Sequence, residues 1–249
     1  MSEIAEHIVK SYEQELKRLA SLITEMGGLV ESQVSLATEA VLDSDTELAA
    51  RVVEGDTKVD AMERGVEEFV IRLLALRQPL AADLRQIVSA LKMTGDLERI
   101  GDYAANVAKR SIVLSQYTLP FSLGGLGHMS RLVQENLKSI VDAIGESDAE
   151  KALVVWRSDE AIDGFYNAIF RELVTYMMED PRNITPCTHL LFIAKNLERI
   201  GDHATNIAET IHYAVTGTPL SEARPKADTS PYAVVRPSSG AAGIAGGGE

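Results

Sequence analysis

Leu97-Glu98-Arg99-Ile100-Gly101-Asp102 recurs letter for letter as Leu197-Glu198-Arg199-Ile200-Gly201-Asp202, and the match runs on through Ala104/Ala204, Asn106/Asn206 and Ala108/Ala208. A second echo, Asp56-Thr57-Lys58-Val59-Asp60 against Asp159-Glu160-Ala161-Ile162-Asp163, lies one segment earlier in each half. An internal repeat of this kind means that one structural unit is used twice, which constrains the fold more than any composition does.

The unit is helical. Apolar residues recur at spacings of three and four through residues 5 to 216, few β-branched runs alternate with period two, and aromatics make up only 5% of the chain. Breaks fall at Asp43-Ser44-Asp45-Thr46, at Gln78-Pro79, across Tyr117 to Gly127, at Glu146-Ser147-Asp148, and between Asp180 and Pro186. These signals predict six long helices arranged as two tandem three-helix bundle repeats, an all-α protein with units at 1–116 and 117–216. Helices of roughly 25 to 35 residues would measure about 40–50 Å and pack lengthwise, antiparallel to their neighbours. From residue 217 to 249 Pro, Gly, Ser and Ala take over, a composition expected to form a flexible tail.

Charge and composition narrow the partners. The formal net charge of -13 disfavours nucleic acid and anionic lipid. The single cysteine, Cys187, has no CxxC spacing and no intrachain disulfide partner, which fits a reducing cytoplasm. Glu3, Glu6 and His7 interrupt the segment where a signal peptide would need an apolar core, and no run of 18 apolar residues occurs. The expected location is cytoplasmic.

Residues four apart share a helix face, so Glu98, Asp102 and Asn106 form a polar stripe, and Glu198, Asp202 and Asn206 its twin. Asp56/Asp60 and Asp159/Asp163 pair in the same way. Like charges at that spacing destabilise a helix by about 0.2–0.5 kcal/mol, so a cation or a proton should offset them. The plain reading of one such pair is a solvated face; its recurrence at equivalent places, while Lys92/Phe192, Gly95/Lys195 and Tyr103/His203 differ, favours ligands. Carboxylate oxygens suit Mg²⁺, Ca²⁺ or Mn²⁺ and also accept iron. A di-iron oxidase would carry Glu-x-x-His, whereas Glu98 and Glu198 are followed three residues later by Gly101 and Gly201. A glycine inside a helix costs roughly 1 kcal/mol relative to alanine, so the stripe Leu97, Gly101, Ala104 and Ala108 points to close helix packing. Arg99 and Arg199 lie about 100° around the helix and read as ion-pair or contact residues. Arg85, matched by Thr185, marks a surface unique to the first half, and His203 reads as a surface or packing residue. No P-loop, nucleophile elbow or paired His and Cys occurs, so a kinase, NTPase or hydrolase finds no motif support.

The segment RQPLAADLR at 77–85, followed by LERIGD with its downstream Asn and by a second LERIGD in a six-helix chain, resembles the PhoU family over residues 5 to 216. The resemblance implies that Asp56, Asp60, Glu98, Asp102, Asp159, Asp163, Glu198 and Asp202 bind divalent or trivalent metal: multinuclear iron, or otherwise Mn, Mg or Zn. It also implies a non-enzymatic homodimeric regulator that links a phosphate ABC transporter ATPase subunit to a sensor histidine kinase and restrains the phosphate-starvation response when phosphate is plentiful. The alternatives left open are a metal store or metal-dependent enzyme built on the carboxylate clusters, and a helical interaction protein without metal.

Overall fold

A computed structural model describes residues 2–222 and 224, and among them the secondary structure is entirely helical. Six long helices follow in order: α1 (Ser2–Leu42), α2 (Thr46–Arg77), α3 (Ala81–Leu114), α4 (Gly124–Glu146), α5 (Ala149–Glu179) and α6 (Ile184–Thr216). A 3₁₀ turn, Pro181–Asn183, joins the last two. None of these helices is long and apolar enough to cross a membrane.

The breaks fall where the local chemistry directs them. Asp45 N-caps α2 by accepting from Leu48 N–H at 2.9 Å. Its counterpart Asp148 caps α5, accepting from Glu150 and Lys151 N–H at 2.9 and 3.0 Å. Gln78 ends α2 in the left-handed region at φ 47°, just before Pro79. Gly217 ends α6 at φ 78°, which glycine adopts without a Cβ penalty. Pro186 falls in the first turn of α6, where its missing N–H has no intrahelical acceptor to lose. At 41 residues, α1 exceeds the expected length.

The two halves share one core. Within each, the carboxylate helix packs on both companions: α3 on α1 and α2, α6 on α4 and α5. Across the halves α3 packs on α6 and α1 on α4, so one apolar cluster runs from Leu19 and Ile23 to Ile207 and Ile211. Helices α2 and α5 flank this centre, each packed chiefly within its own half. The expected small-residue stripe is where the helices meet. Leu97, Ala104 and Ala108 are fully buried, and a Cβ on Gly101 would lie 3.2 Å from Val59 Cγ1. Burial of this stripe, with Gly101 against Val59 of α2 and Gln33 of α1, offsets the helix-propensity cost of the glycine.

The segment after α6 turns back on the bundle. Leu220 packs against the core, and Arg85, on α3, donates through Nε to the Ala214 carbonyl at 3.2 Å. Arg85 is thus turned toward the C-terminal end of the other half's last helix, satisfying one of its orphan carbonyls, instead of marking a separate surface. Of the tail expected over 217–249, residue 223 and residues 225–249 lie outside the described residues.

Candidate functional site

Helical spacing puts the acid pairs on facing helices, and the shared core separates them into two places. The first lies between α2 and α3, the second between α5 and α6. At the first, Asp56 and Asp60 of α2 face Glu98 and Asp102 of α3, all of them partly exposed. Burial, and then the charges of Asp102 and Asp60, push the Asp56 carboxyl above its ordinary range, against a smaller opposing pull from Lys109. Burial, then Asp102, Glu63 and Asp60, push Glu98 up, with Arg99 opposing. Glu63, seven residues after Asp56 and so on the same helix face, belongs to this cluster and is raised by burial and by Glu67 and Asp60. Arg99 folds back over its own motif as an ion-pair residue, 3.4 Å from Glu98 and 3.0 Å from Asp102.

Beneath this cluster lies Gln33 of α1, 4% exposed, with neither side-chain amide atom hydrogen-bonded. A Cβ at Gly55 would meet its Nε2 at 3.3 Å, and one at Gly101 its Oε1 at 3.3 Å. The orphaned amide thus abuts the residues next to Asp56 and Asp102. An all-oxygen donor set of mutually repelling carboxylates, over a buried amide without a partner, fits a hard cation. Among the described residues no three His, Cys, Asp or Glu side chains converge as a ready ligand set, so binding would require side-chain rotation.

The second place has the same acids in a different setting. Asp159, Asp163 and Glu198 are buried, and Asp202 is partly exposed. Lys195, three residues before Glu198, donates to Glu198 Oε1 at 2.8 Å, while Glu198 Oε2 is buried without a hydrogen-bond partner. Burial raises the Glu198 carboxyl; the bond from Lys195 opposes that, and Asp202 and Asp163 add to it. The main difference comes from the segment beyond α6. Arg224 donates through Nε to Asp159 Oδ2 at 2.9 Å and through Nη2 to Asp202 Oδ1 at 2.6 Å. Its Nη2 also reaches Asp159 Oδ1 and the Asp202 carbonyl, each at 3.2 Å, and its Nη1 reaches Asn206 Oδ1 at 3.2 Å. A guanidinium thus joins the acid pair of α5 to that of α6. As it stands, this place is filled by the chain's own cation.

The inequality can be followed position by position. Gly95 in the first half corresponds to Lys195, and Glu63 to Tyr166, whose ring lies 4.7 Å from the Lys195 ammonium. Asn106 is exposed, whereas Asn206 bridges Arg224 and Asp96. His203 pairs with Asp96 of α3 at 2.7 Å and lies 5.6 Å from the Tyr103 ring, so it is a packing residue of the α3–α6 contact. Cys187 is buried, which pushes its thiol up to about 11 and leaves it unreactive.

Glu63, Gln33, Asp96 and Arg224 were not singled out by motif. Only Glu63 carried a usable signal, its place on the Asp56 face; the others act across long stretches of chain.

The PhoU domain model matches this chain twice, at residues 23–111 and 126–211, one match for each half. The chain is 51% identical over 226 residues to the phosphate-specific transport system accessory protein PhoU homolog of Caulobacter vibrioides, covering 90% of this chain and 98% of that one. It is 49% identical over 223 residues to the protein of the same name from Rhizobium meliloti, covering 89% and 94%. The crystal structure of PhoU from Pseudomonas aeruginosa superposes with a TM-score of 0.81 at 45% identity, over 83% of this chain and 100% of that one. The phosphate transport system regulatory protein PhoU from Streptococcus pneumoniae gives 0.78 at 31% identity, over 85% and 100%. With both halves matched and relatives aligned over nearly their full length, this chain belongs to the PhoU family.

Proposed function

We propose that this protein is a non-enzymatic regulator of phosphate uptake and of phosphate-starvation signalling. It works in the cytoplasm as a homodimer, joining the ATPase subunit of a phosphate ABC transporter to a sensor histidine kinase and restraining the response when phosphate is plentiful. One observation carries this reading: the relatives aligned over nearly their whole length are named as accessory proteins of the phosphate-specific transport system. An exposed apolar stripe at the start of α3, formed by Leu80, Leu84, Val88 and Leu91, supports an adaptor role, because it offers a protein partner apolar area beside the charged surface.

Metal belongs to this proposal at the first carboxylate place, where Asp56, Asp60, Glu98 and Asp102 would be the ligands. A bound iron, manganese, magnesium or zinc ion would supply the positive charge that these acids lack. The protein's own part is to hold the acids of α2 and α3 on facing surfaces, with Glu63 adding negative charge and Gln33 placing an amide behind them. Cation binding would therefore tie α2 to α3.

The test is capture of the two partners. Purified full-length protein, incubated with the transporter ATPase subunit and with the cytoplasmic part of the kinase at low and high phosphate, is expected to retain both in a phosphate-dependent manner. Retention of neither partner would overturn the regulatory reading. If Glu98→Gln with Asp102→Asn abolishes metal binding but spares repression in cells, metal is incidental to it.

A further inference from the structure

We infer that Arg224 is an intrachain cation for the second carboxylate place: docking of the segment from Gly217 to Arg224 excludes a metal ion there, so the two motif copies differ in metal affinity. The inference rests on reading the carboxylate pairs as cation sites.

Gly217 reverses the chain at the end of α6, and the segment then runs back along that helix. From Gly217 to Asp202 is about 22 Å at the helical rise. The seven steps of chain to Arg224 span at most about 23–25 Å when extended and the side chain adds several more, so the guanidinium reaches Asp202 and Asn206 without full extension. Leu220 fixes the strap midway by packing against the core. Pro219, Leu220 and Glu222 of the strap line an open cavity of about 540 Å³ together with Lys92, Glu209 and Tyr213 of α3 and α6. Among the described residues its polar hold on the acid pairs is one guanidinium, 17% exposed, against Asp159, 4% exposed, and Asp202, 20% exposed, while Thr218 bonds back to Thr216 at the turn.

The oxygens that receive Arg224, Oδ1 and Oδ2 of Asp159 and Oδ1 of Asp202, are the ones a metal ion bridging α5 and α6 would need. The two occupants exclude each other. The first place holds Glu63 and Gly95 where the second has Tyr166 and Lys195, and among the described residues no strap crosses it. A hard cation therefore fills the first place at lower concentration, and filling the second releases the strap. The tail beyond α6 then reports the metal state of the second half.

Equilibrium dialysis against Mn²⁺ tests this on the full chain. The wild-type protein is expected to show one tight class of site, removed by Glu98→Gln with Asp102→Asn. Arg224→Gln is expected to tighten the second class by about tenfold, as when a competitor that fills a site about nine-tenths of the time is removed. Strap docking is read separately, without metal, from a spin label on Ser221→Cys; buried Cys187 does not compete for the reagent. That label should be restrained in the parent and become mobile on adding Arg224→Gln or Asp159→Asn. Tight first-class binding with a second class unchanged by Arg224→Gln overturns the exclusion and leaves the carboxylate reading standing. A gain at the second class without any first-class binding keeps the exclusion and overturns the metal reading of the first place. A label equally mobile with and without Arg224 overturns the docking itself.

Discussion

Ile162 of α5 stands where a side chain on Gly201 of α6 would have to go, its Cδ1 only 2.8 Å from the position of a Cβ there. At the matching point in the first half the nearest atom, Val59 Cγ1, is 3.2 Å away. The glycine in each motif is thus a packing requirement, stricter in the second half.

Gly201→Ala should destabilise the protein by about 1–2 kcal/mol, since overpacking outweighs the helix-propensity gain. Gly101→Ala should cost less. Ile162→Val, which deletes the obstructing methyl, should recover part of the Gly201→Ala loss in a double-mutant cycle read by urea denaturation. Gly65→Ala, with nothing within 4 Å, should stabilise by about 0.5–1 kcal/mol.

The first acid cluster carries more negative charge than Arg99 and Lys109 offset, and pH can reveal it. The Glu98 carboxyl is held above its ordinary 4.5, so the folded protein keeps this proton longer than the unfolded chain does. Its favourable effect is complete below that ordinary value and is lost as pH rises through the raised one. At pH 7, low salt and no divalent cation, Glu98→Gln should therefore stabilise by about 0.2–0.5 kcal/mol, the cost of a like-charge pair on a helix face. Scanning calorimetry against pH should show the gain vanish toward pH 4, and Mn²⁺ should raise the wild-type melting temperature at pH 7 but not there.

Gln33 buries an amide without a partner, a penalty of about 1–3 kcal/mol in a protein interior. Gln33→Met, close in volume, should raise the unfolding free energy by about 1 kcal/mol without metal. The same change should weaken Mn²⁺ binding at the first place. A stability gain with unaltered affinity would separate the amide from the site.

Across the halves, Asp96 receives His203 Nδ1–H at 2.7 Å and Asn206 Nδ2–H at 3.3 Å. Asp96→Ala leaves both partly buried donors unpaired and should cost about 1–3 kcal/mol, measured by denaturant midpoint at constant slope. Amide exchange should rise along α3 and α6 together, because this pair ties the two motif helices to each other.

Arg224→Met should cost about 3 kcal/mol at pH 7 by removing the guanidinium from buried Asp159, to which the Thr205 hydroxyl also donates at 3.2 Å. A divalent cation should restore part of it. No change in melting temperature would mean that the strap contributes nothing to the bundle.

The letters alone determined the twofold repeat, the six helices, the positions of their ends and the four acid pairs. These follow from short-range physics: a period near 3.6, a cap such as Asp45 or Asp148 at the head of a helix, and residues four apart on one face. Tertiary structure decided that α3 and α6 close on each other into one core and that the two acid clusters are unequal. It buried Gln33 between Gly55 and Gly101, joined Asp96 to His203 across 107 residues, and brought Arg224 back to Asp159 across 65. Partners so far apart have no spacing rule in sequence. Their meeting depends on which faces the shared apolar core turns inward, and that is settled only when all six helices pack together.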